Sequence, residues 1–161
     1  MATLQKKPTD SAQQQAEQKL LELLRSFDYA MLVSGGALPH ARPMAIAEAS
    51  PDGTLWFLTG RDTQKVFEIA ENTEAMAVMQ SSSRYVAVAG RARVVDDRAH
   101  IHKLWKEPMK VWFEGKDDPN IVLMRTCSNL ASLELLNMYE WPTMTKMGEI
   151  DVFTVAPPDP T

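Results

Sequence analysis

The sequence contains little cysteine and no long apolar run. A single cysteine, Cys127, occurs among 161 residues, so an internal disulfide is excluded and the reducing cytoplasm is the expected location. No apolar stretch reaches the roughly 20 residues that a membrane-spanning helix needs, and the first residues lack the apolar centre of a signal peptide. We therefore expect a cytoplasmic protein without a membrane partner.

Positive charge and histidine are also scarce. Lysine and arginine number 17 against 21 acidic residues, giving a formal net charge of −4, and without a basic stripe we expect no nucleic-acid partner. His100 and His102 are two positions apart in a predicted helix, which turns them to different faces, and His40 stands alone. Asp117 and Asp118 precede a proline, which is typical of a turn or a helix cap. We therefore expect no metal site.

The pattern of apolar residues predicts mainly β structure with flanking helices. We expect a flexible N-terminus over residues 1–10, a single domain over 11–155 and a tail over 156–161. Helices are predicted at residues 11–26, at residues 63–71, and after Asp97 until Pro108 interrupts that helix. Strands are predicted at residues 29–33, 40–48, 54–59, 75–79, 84–95, 121–127, 130–136 and 149–155. So many short strands with so few helices indicate an antiparallel barrel.

The helix predicted at residues 63–71 has an apolar face. Its apolar residues recur at helical spacing, so one side of the helix is expected to pack on the sheet. The residues assigned to that side are Val66, Phe67, Ile69 and Ala70.

The start of that same helix carries the most informative chemistry. Arg61 and Lys65 flank its first turn. Because the N-terminus of a helix is already positive, cations there are unfavourable unless an anion joins them. The free N–H groups, the lysine and a nearby arginine together make a phosphate site, with Arg42 reaching in from the adjacent strand and the Thr63 hydroxyl in the same turn. The sequence therefore predicts a ligand that carries a phosphate.

Four segments occur in an informative order, although none of them is specific alone. They are Arg42 to Lys65, Tyr85 to Arg98, Leu104-Trp105, and Glu114 to Pro119. In this order and spacing, over roughly residues 26–140, the chain resembles the FMN-binding split barrels of the pyridoxamine 5'-phosphate oxidase-like family, and especially their general-stress-protein branch. The resemblance implies an antiparallel split β-barrel and a homodimer that binds FMN in a groove between its subunits.

The resemblance also implies which residues contact the flavin. It makes Arg42 and Lys65 ligands of the flavin phosphate, and it places the backbone of Phe57, Leu58 and Thr59 along the isoalloxazine. An aromatic residue from the partner subunit covers the ring in this family. Tyr85, Trp105 and Trp112 are candidates for it, with Trp105 preferred because its helix follows the long central strand. The full set of implied cofactor-binding residues is Arg42, Pro43, Met44, Ala45, Phe57, Leu58, Thr59, Thr63, Gln64, Lys65, Tyr85 and Trp105.

Two departures from the family pattern bear on activity. Gln64 stands where true pyridoxamine 5'-phosphate oxidases carry an arginine, and the residues after Trp141 include Lys146 but neither arginine nor histidine. We therefore expect a flavin site without the vitamin-oxidising reaction. A flavin-dependent oxidoreductase is one interpretation, with hydride coming from a reduced nicotinamide or a small substrate.

Other interpretations remain open from the sequence. They are a non-catalytic flavin- or heme-binding stress or sensor protein, a reductase that binds the deazaflavin F420, and a structural dimer with a vestigial groove. The aromatic residues Trp105, Trp112 and Phe113 are difficult to bury in one copy of so small a barrel. They therefore favour a homodimer independently of the cofactor.

Overall fold

An antiparallel sheet of seven strands organises the chain. The computed structural model describes residues 10–81, 84–127, 133–134 and 154–155. In chain order, the strands are β1 (Tyr29–Ser34), β2 (His40–Ala45), β3 (Glu48–Ala49), β4 (Leu55–Gly60), β5 (Glu74–Gln80), β6 (Tyr85–Val95) and β7 (Ile121–Cys127). Their order in the sheet is β2-β1-β5-β6-β7-β4-β3. Two short strands, β8 (Leu133–Glu134) and β9 (Thr154–Val155), pair with each other, and β9 joins β6 in parallel.

The described helices are α1 (Asp10–Arg25), α2 (Gln64–Glu71), α3 (Arg98–Leu104) and a 3-10 helix at Glu107–Val111. At the start of α3, the carboxylate of Asp97 accepts a hydrogen bond from the backbone N–H of His100 at 3.1 Å, which satisfies one unpaired amide of the first turn. Pro108 lies in the first turn of the 3-10 helix, where a missing N–H costs nothing. The prediction that Pro108 interrupts α3 is therefore wrong, because α3 has already ended at Leu104.

Two apolar cores cover opposite faces of β4. The larger core joins α1 and α2 to the inner side of the strands and includes Phe57, which is fully buried. The smaller core joins α3 to the outer side of β4 and β7, where Trp56 and Leu58 pack against it. Because successive side chains of a strand alternate between faces, β4 supplies residues to both cores. This strand is therefore fixed from both sides at the point where it leads into α2.

The buried face of α2 is narrower than the predicted one. Ile69 is buried and Val66 packs against the larger core, since residues three apart share one side of a helix. Phe67 is 61% exposed and Ala70 is also exposed. The prediction that Phe67 and Ala70 face the sheet is therefore wrong. A helix this short contacts the sheet along one stripe only.

The strand predicted at residues 40–48 is divided in two. β2 ends at Ala45, and the next two amides change partners: Ile46 N–H donates to Asp28 O at 2.8 Å, and Ala47 N–H donates to Trp56 O at 2.8 Å. The chain thus leaves β1 and joins β4 within two residues. This corner brings β2 close to β4.

The other predicted strands at residues 29–33, 54–59, 75–79, 84–95 and 121–127 correspond to β1, β4, β5, β6 and β7. The strands predicted at residues 130–136 and 149–155 lie mostly outside the described residues, as do the predicted flexible N-terminus and tail.

Candidate functional site

Two open strand edges meet near the start of α2. β2 pairs with β1 along one edge, and its other edge has no strand neighbour within the described ranges. β3 pairs with β4 only at Leu55 and Trp56, so this edge of β4 is open beyond Trp56 in the part of the chain that the structure describes. Trp56 C=O accepts a hydrogen bond from Ala47 on this side. Since backbone groups alternate along a strand, the N–H and C=O of Leu58 also point to the open edge.

Ala45 occupies the corresponding position on β2. Ile46 N–H donates to Asp28 O across the β1 side, so the alternate residue Ala45 directs its backbone polar groups away from β1. Pro43 lies two residues earlier in the same orientation. Proline has no N–H, and it is tolerated at this position because the outer edge of β2 forms no hydrogen bonds to another strand within the described residues. Within the described residues, both β2 and β4 therefore carry unpaired backbone groups on their open edges.

Arg42 binds a carboxylate from α2. Its Nη1 donates to Glu68 Oε2 at 2.9 Å, and the buried Ser34 hydroxyl donates to the same oxygen at 3.2 Å. His40 Nδ1 lies 2.8 Å from Glu68 Oε1. The hydrogen bond from Arg42 is the largest cause that lowers the pKa of Glu68 to about 2. Glu68 is therefore ionised at neutral pH and occupies one end of the Arg42 guanidinium.

Lys65 is a cation of this cluster without a counter-charge. It is half-buried, and its ammonium group forms no ion pair or hydrogen bond with any residue in the described ranges. Burial lowers the pKa of Lys65, and the positive charge of nearby Arg42 lowers it further. Both effects arise because two cations share a partly dry position. An anion bound between them would relieve this repulsion.

α2 begins without a side-chain cap. Thr63 is the N-cap residue, but its hydroxyl donates to Gly60 O at 2.8 Å and accepts no hydrogen bond from the helix. The first turn of α2 also contains no acidic residue. The unpaired amides and the positive end of the helix dipole are therefore available to an anion beside Lys65.

The remaining predicted residues are placed as follows. The side chains of Phe57, Thr59 and Met44 are buried, so they can contribute only through backbone position. Gln64, the first residue of α2, is exposed. Tyr85 begins β6 opposite Gln80. The structure thus brings Arg42, Thr63 and Lys65 together with the open edges of β2 and β4.

Two aromatic candidates differ in their surroundings. Trp105 is half-buried and packs against the smaller core of its own chain, whereas Trp112 is 74% exposed. Phe113 also packs against the smaller core. Of Trp105, Trp112 and Phe113, Trp112 is therefore the residue whose ring is exposed enough to contact another molecule.

Arg61 does not belong to the cluster. Its Nη2 donates to Asp96, which also accepts from Arg98 Nε at 3.1 Å, and these hydrogen bonds lower the pKa of Asp96. Arg98 Nη1 donates to Asp118 O at 2.9 Å, so the network joins the loop before β7 to the start of α3. Arg61 therefore stabilises a loop, although its position in the sequence predicts a phosphate contact.

Sequence reasoning missed Glu68, Ser34 and His40. Glu68 follows Lys65 by three positions and so lies on the same side of α2. His40 precedes Arg42 by two positions and so shares its side of β2. These spacings are signals that the sequence offers. Ser34 gives no such signal, because only the register of β1 on β2 sets Ser34 opposite His40.

Other kinds of site have little support in the described residues. No group of three or more His, Cys, Asp or Glu side chains is arranged there to hold a metal ion. None of the described helices has both the length and the apolar character required to cross a membrane.

Comparison with known proteins identifies the family. The model of the family described as "Pyridoxamine 5'-phosphate oxidase like" matches residues 15–133. General stress protein 26 of Bacillus subtilis (strain 168) is 31% identical over 119 residues, which are 70% of this chain and 83% of that protein.

Solved structures agree with this match. General Stress Protein 26 from Bacillus anthracis str. Sterne superposes with a TM-score of 0.62 at 22% identity, covering 69% of this chain and 87% of that chain. The general stress FMN/FAD binding protein from Xanthomonas citri superposes with a TM-score of 0.60 at 27% identity, covering 70% of this chain and 83% of that chain. The predicted antiparallel split-barrel fold is confirmed. The chain therefore belongs to the pyridoxamine 5'-phosphate oxidase-like family, and within it to the general-stress-protein branch.

Proposed function

We propose that this protein binds FMN, with the flavin phosphate held between Arg42, Lys65 and the first turn of α2. The observation that carries the proposal is half-buried Lys65, which has no counter-charge among the described residues and lies beside a helix start without a side-chain cap. A phosphate supplies the anion that this arrangement lacks. The similar protein from Xanthomonas citri, described as FMN/FAD binding, supports a flavin as the bearer of that phosphate.

The donor set fits a terminal phosphate. Arg42 engages Glu68 and Ser34 through Nη1, which leaves Nε and Nη2 for a ligand. A guanidinium offers its N–H groups in a planar fork that matches two oxygens of a phosphate. Lys65 then acts as a compact charge on the third oxygen. Together these groups satisfy one phosphate without a metal ion.

The open strand edges fit the polar part of the flavin ring. The backbone groups of Leu58 on β4 and Ala45 on β2 lack ladder partners within the described residues, so they can form hydrogen bonds with a ligand. The carbonyl and N–H groups of the pyrimidine edge of an isoalloxazine supply such partners. A bound flavin would supply the redox chemistry, and the protein would orient it, so we infer a flavin-dependent oxidoreductase or a related stress flavoprotein.

We further infer that the protein is a homodimer, because one face of the sheet is apolar and none of the described residues covers it. We call this the outer apolar face. Its side chains alternate with those of the larger core, and Tyr29, Met31 and Met76 in it are 67%, 42% and 38% exposed. A continuous apolar surface of this kind is typical of a protein–protein interface. The members of the outer apolar face are Tyr29, Met31 and Val33 of β1, Ala41, Pro43 and Ala45 of β2, Met76 and Val78 of β5, and Ala87 and Ala89 of β6.

Identification of the bound ligand tests the proposed function. The protein is purified without added cofactor, its absorption spectrum is recorded, and the ligand released by heat is identified by mass. The apoprotein is then titrated with FMN, riboflavin and heme. FMN binding that exceeds riboflavin binding supports the proposal, because only FMN carries the phosphate. Equal affinities for FMN and riboflavin, a preference for heme, or a deazaflavin as the released ligand would refute it.

A further inference from the structure

Glu68 brings a negative charge into the proposed phosphate site. The Glu68 side chain is only 14% exposed, and its carboxylate is held by Arg42, Ser34 and His40 together. A side chain fixed by three partners does not leave without breaking all three hydrogen bonds. We therefore expect the carboxylate to stay in the site when a ligand arrives and to offset the charge of one of the two cations, Arg42 and Lys65.

A ligand phosphate must share Arg42 with this carboxylate. Nη1 is committed to Glu68, so a phosphate on Nε and Nη2 lies across the same guanidinium from a fixed negative charge. The repulsion between two anions grows in proportion to the charge of each. A phosphate monoester carries about −1.5 to −2 at pH 7, whereas each phosphate of a pyrophosphate diester carries a single negative charge. The carboxylate therefore disfavours the monoester more than the diester.

We propose that Glu68 is a specificity-determining residue of this flavin site, which narrows the preference for the phosphate monoester of FMN over the pyrophosphate of FAD. The inference rests on the proposed function, since it assigns a role within the same phosphate site. In this role, Glu68 repels the more highly charged phosphate more strongly, in addition to binding Arg42.

The test compares Glu68→Gln with the wild type in titrations with FMN, FAD and riboflavin at pH 7. The glutamine keeps an oxygen that accepts from Arg42 but removes the charge. We expect Kd for FMN to fall about tenfold and Kd for FAD about threefold, since the repulsion removed scales with the charge of the ligand. Kd for riboflavin, which has no phosphate, is expected to stay within about twofold.

Glu71→Gln is the matched control. Glu71 lies on the same helix and is exposed, and the carboxylate that Arg42 binds is that of Glu68. Glu71→Gln therefore changes the net charge by the same amount as Glu68→Gln but leaves the partner of Arg42 in place. We expect the FMN-to-FAD preference of this variant to equal that of the wild type. An equal rise of the FMN-to-FAD preference in Glu71→Gln and Glu68→Gln would overturn the proposal, because the effect would then arise from the overall charge of the protein.

Glu68→Ala provides a second, independent measurement. It also removes the charge, but it leaves Arg42 without its partner, so both phosphorylated flavins are expected to bind more weakly than to Glu68→Gln. The FMN-to-FAD preference should nevertheless rise above the wild-type value in both variants. An FMN-to-FAD preference that is unchanged from the wild type, or lower, in both Glu68→Gln and Glu68→Ala would overturn the proposal. A wild type that binds no flavin would refute the proposed function itself, and thermal melting confirms that each variant is folded.

Discussion

Arg42 shows how a neighbouring side chain determines what a functional residue can do. Its place before Pro43 and its distance from Lys65 are readable in the sequence, and they predict a phosphate ligand. Its partner Glu68 lies 26 positions away, and no local pattern pairs the two residues. The sequence therefore predicts Arg42 and Lys65 as cations of the proposed site, whereas the carboxylate beside Arg42 becomes visible only when β2 and α2 pack together.

The same limit explains Arg61. Local position places Arg61 and Lys65 in one helix turn, and the sequence gives no reason to separate them. In the structure, Arg61 donates to Asp96 and Lys65 does not. A contact between residues 35 positions apart thus decides which of two adjacent cations is available to a ligand.

At the residue scale, replacing both Arg42 and Lys65 by alanine should weaken FMN binding at least about a hundredfold, since charge-assisted hydrogen bonds are worth roughly 1.5–3 kcal/mol each. Flavin fluorescence is titrated against the wild type and the double variant. Lys106→Ala, which removes an exposed lysine of the loop before the 3-10 helix, is the control and should bind FMN normally. Wild-type affinity in the double variant would remove both residues from the site.

The low pKa of Glu68 predicts how stability depends on pH. Glu68 has a folded pKa of about 2, below its ordinary value of 4.5, so the folded state binds a proton less readily than the unfolded state. Its contribution is therefore complete above pH 4.5 and is lost as the pH falls from 4.5 toward 2. Thermal unfolding temperatures are measured from pH 6 to pH 2.5. The wild type should lose more stability over this range than Glu68→Gln, and parallel curves would contradict the assignment.

At the element scale, the apolar pattern of a strand and the turn residues that flank it predict most strands of the sheet well. The structure confirms the predicted bounds of β7 at Ile121 and Cys127 and the predicted starts of β1 at Tyr29 and β2 at His40. The division of residues 40–48 into β2 and β3 was missed, because Ile46 and Ala47 continue the apolar pattern while their amides change partners. Hydrophobic periodicity reports burial, and it does not report which strand a backbone group pairs with.

The junction between β4 and α2 depends on the small size of Gly60. A methyl group at Gly60 would lie 3.1 Å from Asp62 Oδ1, 3.2 Å from Asn120 Nδ2 and 3.3 Å from Thr63 Cγ2. Asn120 and Asp62 are themselves hydrogen-bonded at 3.1 Å, so neither side chain yields freely. This close packing fixes the direction in which α2 leaves the sheet and therefore the position of Thr63.

We predict that Gly60→Ala destabilises the fold by about 1–3 kcal/mol, as expected for overpacking, and weakens FMN binding by moving the start of α2. The free energy of unfolding is measured in denaturant, and FMN affinity is measured by titration. Gly36→Ala is the matched control, because a methyl group there meets no atom within 4 Å and the backbone φ is not positive. An unchanged free energy of unfolding in Gly60→Ala would show that Asp62, Asn120 and Thr63 can move to make room for the methyl group, and it would contradict the prediction.

At the scale of the whole molecule, the number of aromatic residues does not tell which of them pack within their own chain and which stay exposed. The sequence alone favours a second copy, because Trp105, Trp112 and Phe113 are difficult to bury in one small barrel. The structure packs Trp105 and Phe113 against the smaller core and leaves Trp112 exposed. The outer apolar face emerges only when the register of β2, β1, β5 and β6 is known, because each strand alone contributes just two or three residues to it.

The position of Met31 makes the assembly testable. Met31 lies on β1 opposite Pro43 of β2 and Val78 of β5, near the middle of the outer apolar face. A glutamate there is solvated in a monomer but is buried without a partner in a dimer that uses this face, and burying an unpaired charge is strongly unfavourable. We therefore predict that the wild type is a dimer at micromolar concentration and that Met31→Glu is a monomer.

Light scattering of the two proteins measures this difference, with Leu38→Glu as the control. Leu38 is 82% exposed in the turn between β1 and β2, outside the outer apolar face, so this variant should remain dimeric. If the flavin lies in a groove between two subunits, Met31→Glu should also bind FMN more weakly although Arg42 and Lys65 are intact. A wild-type monomer that binds FMN, or a dimeric Met31→Glu, would show that the outer apolar face does not join two copies of this chain.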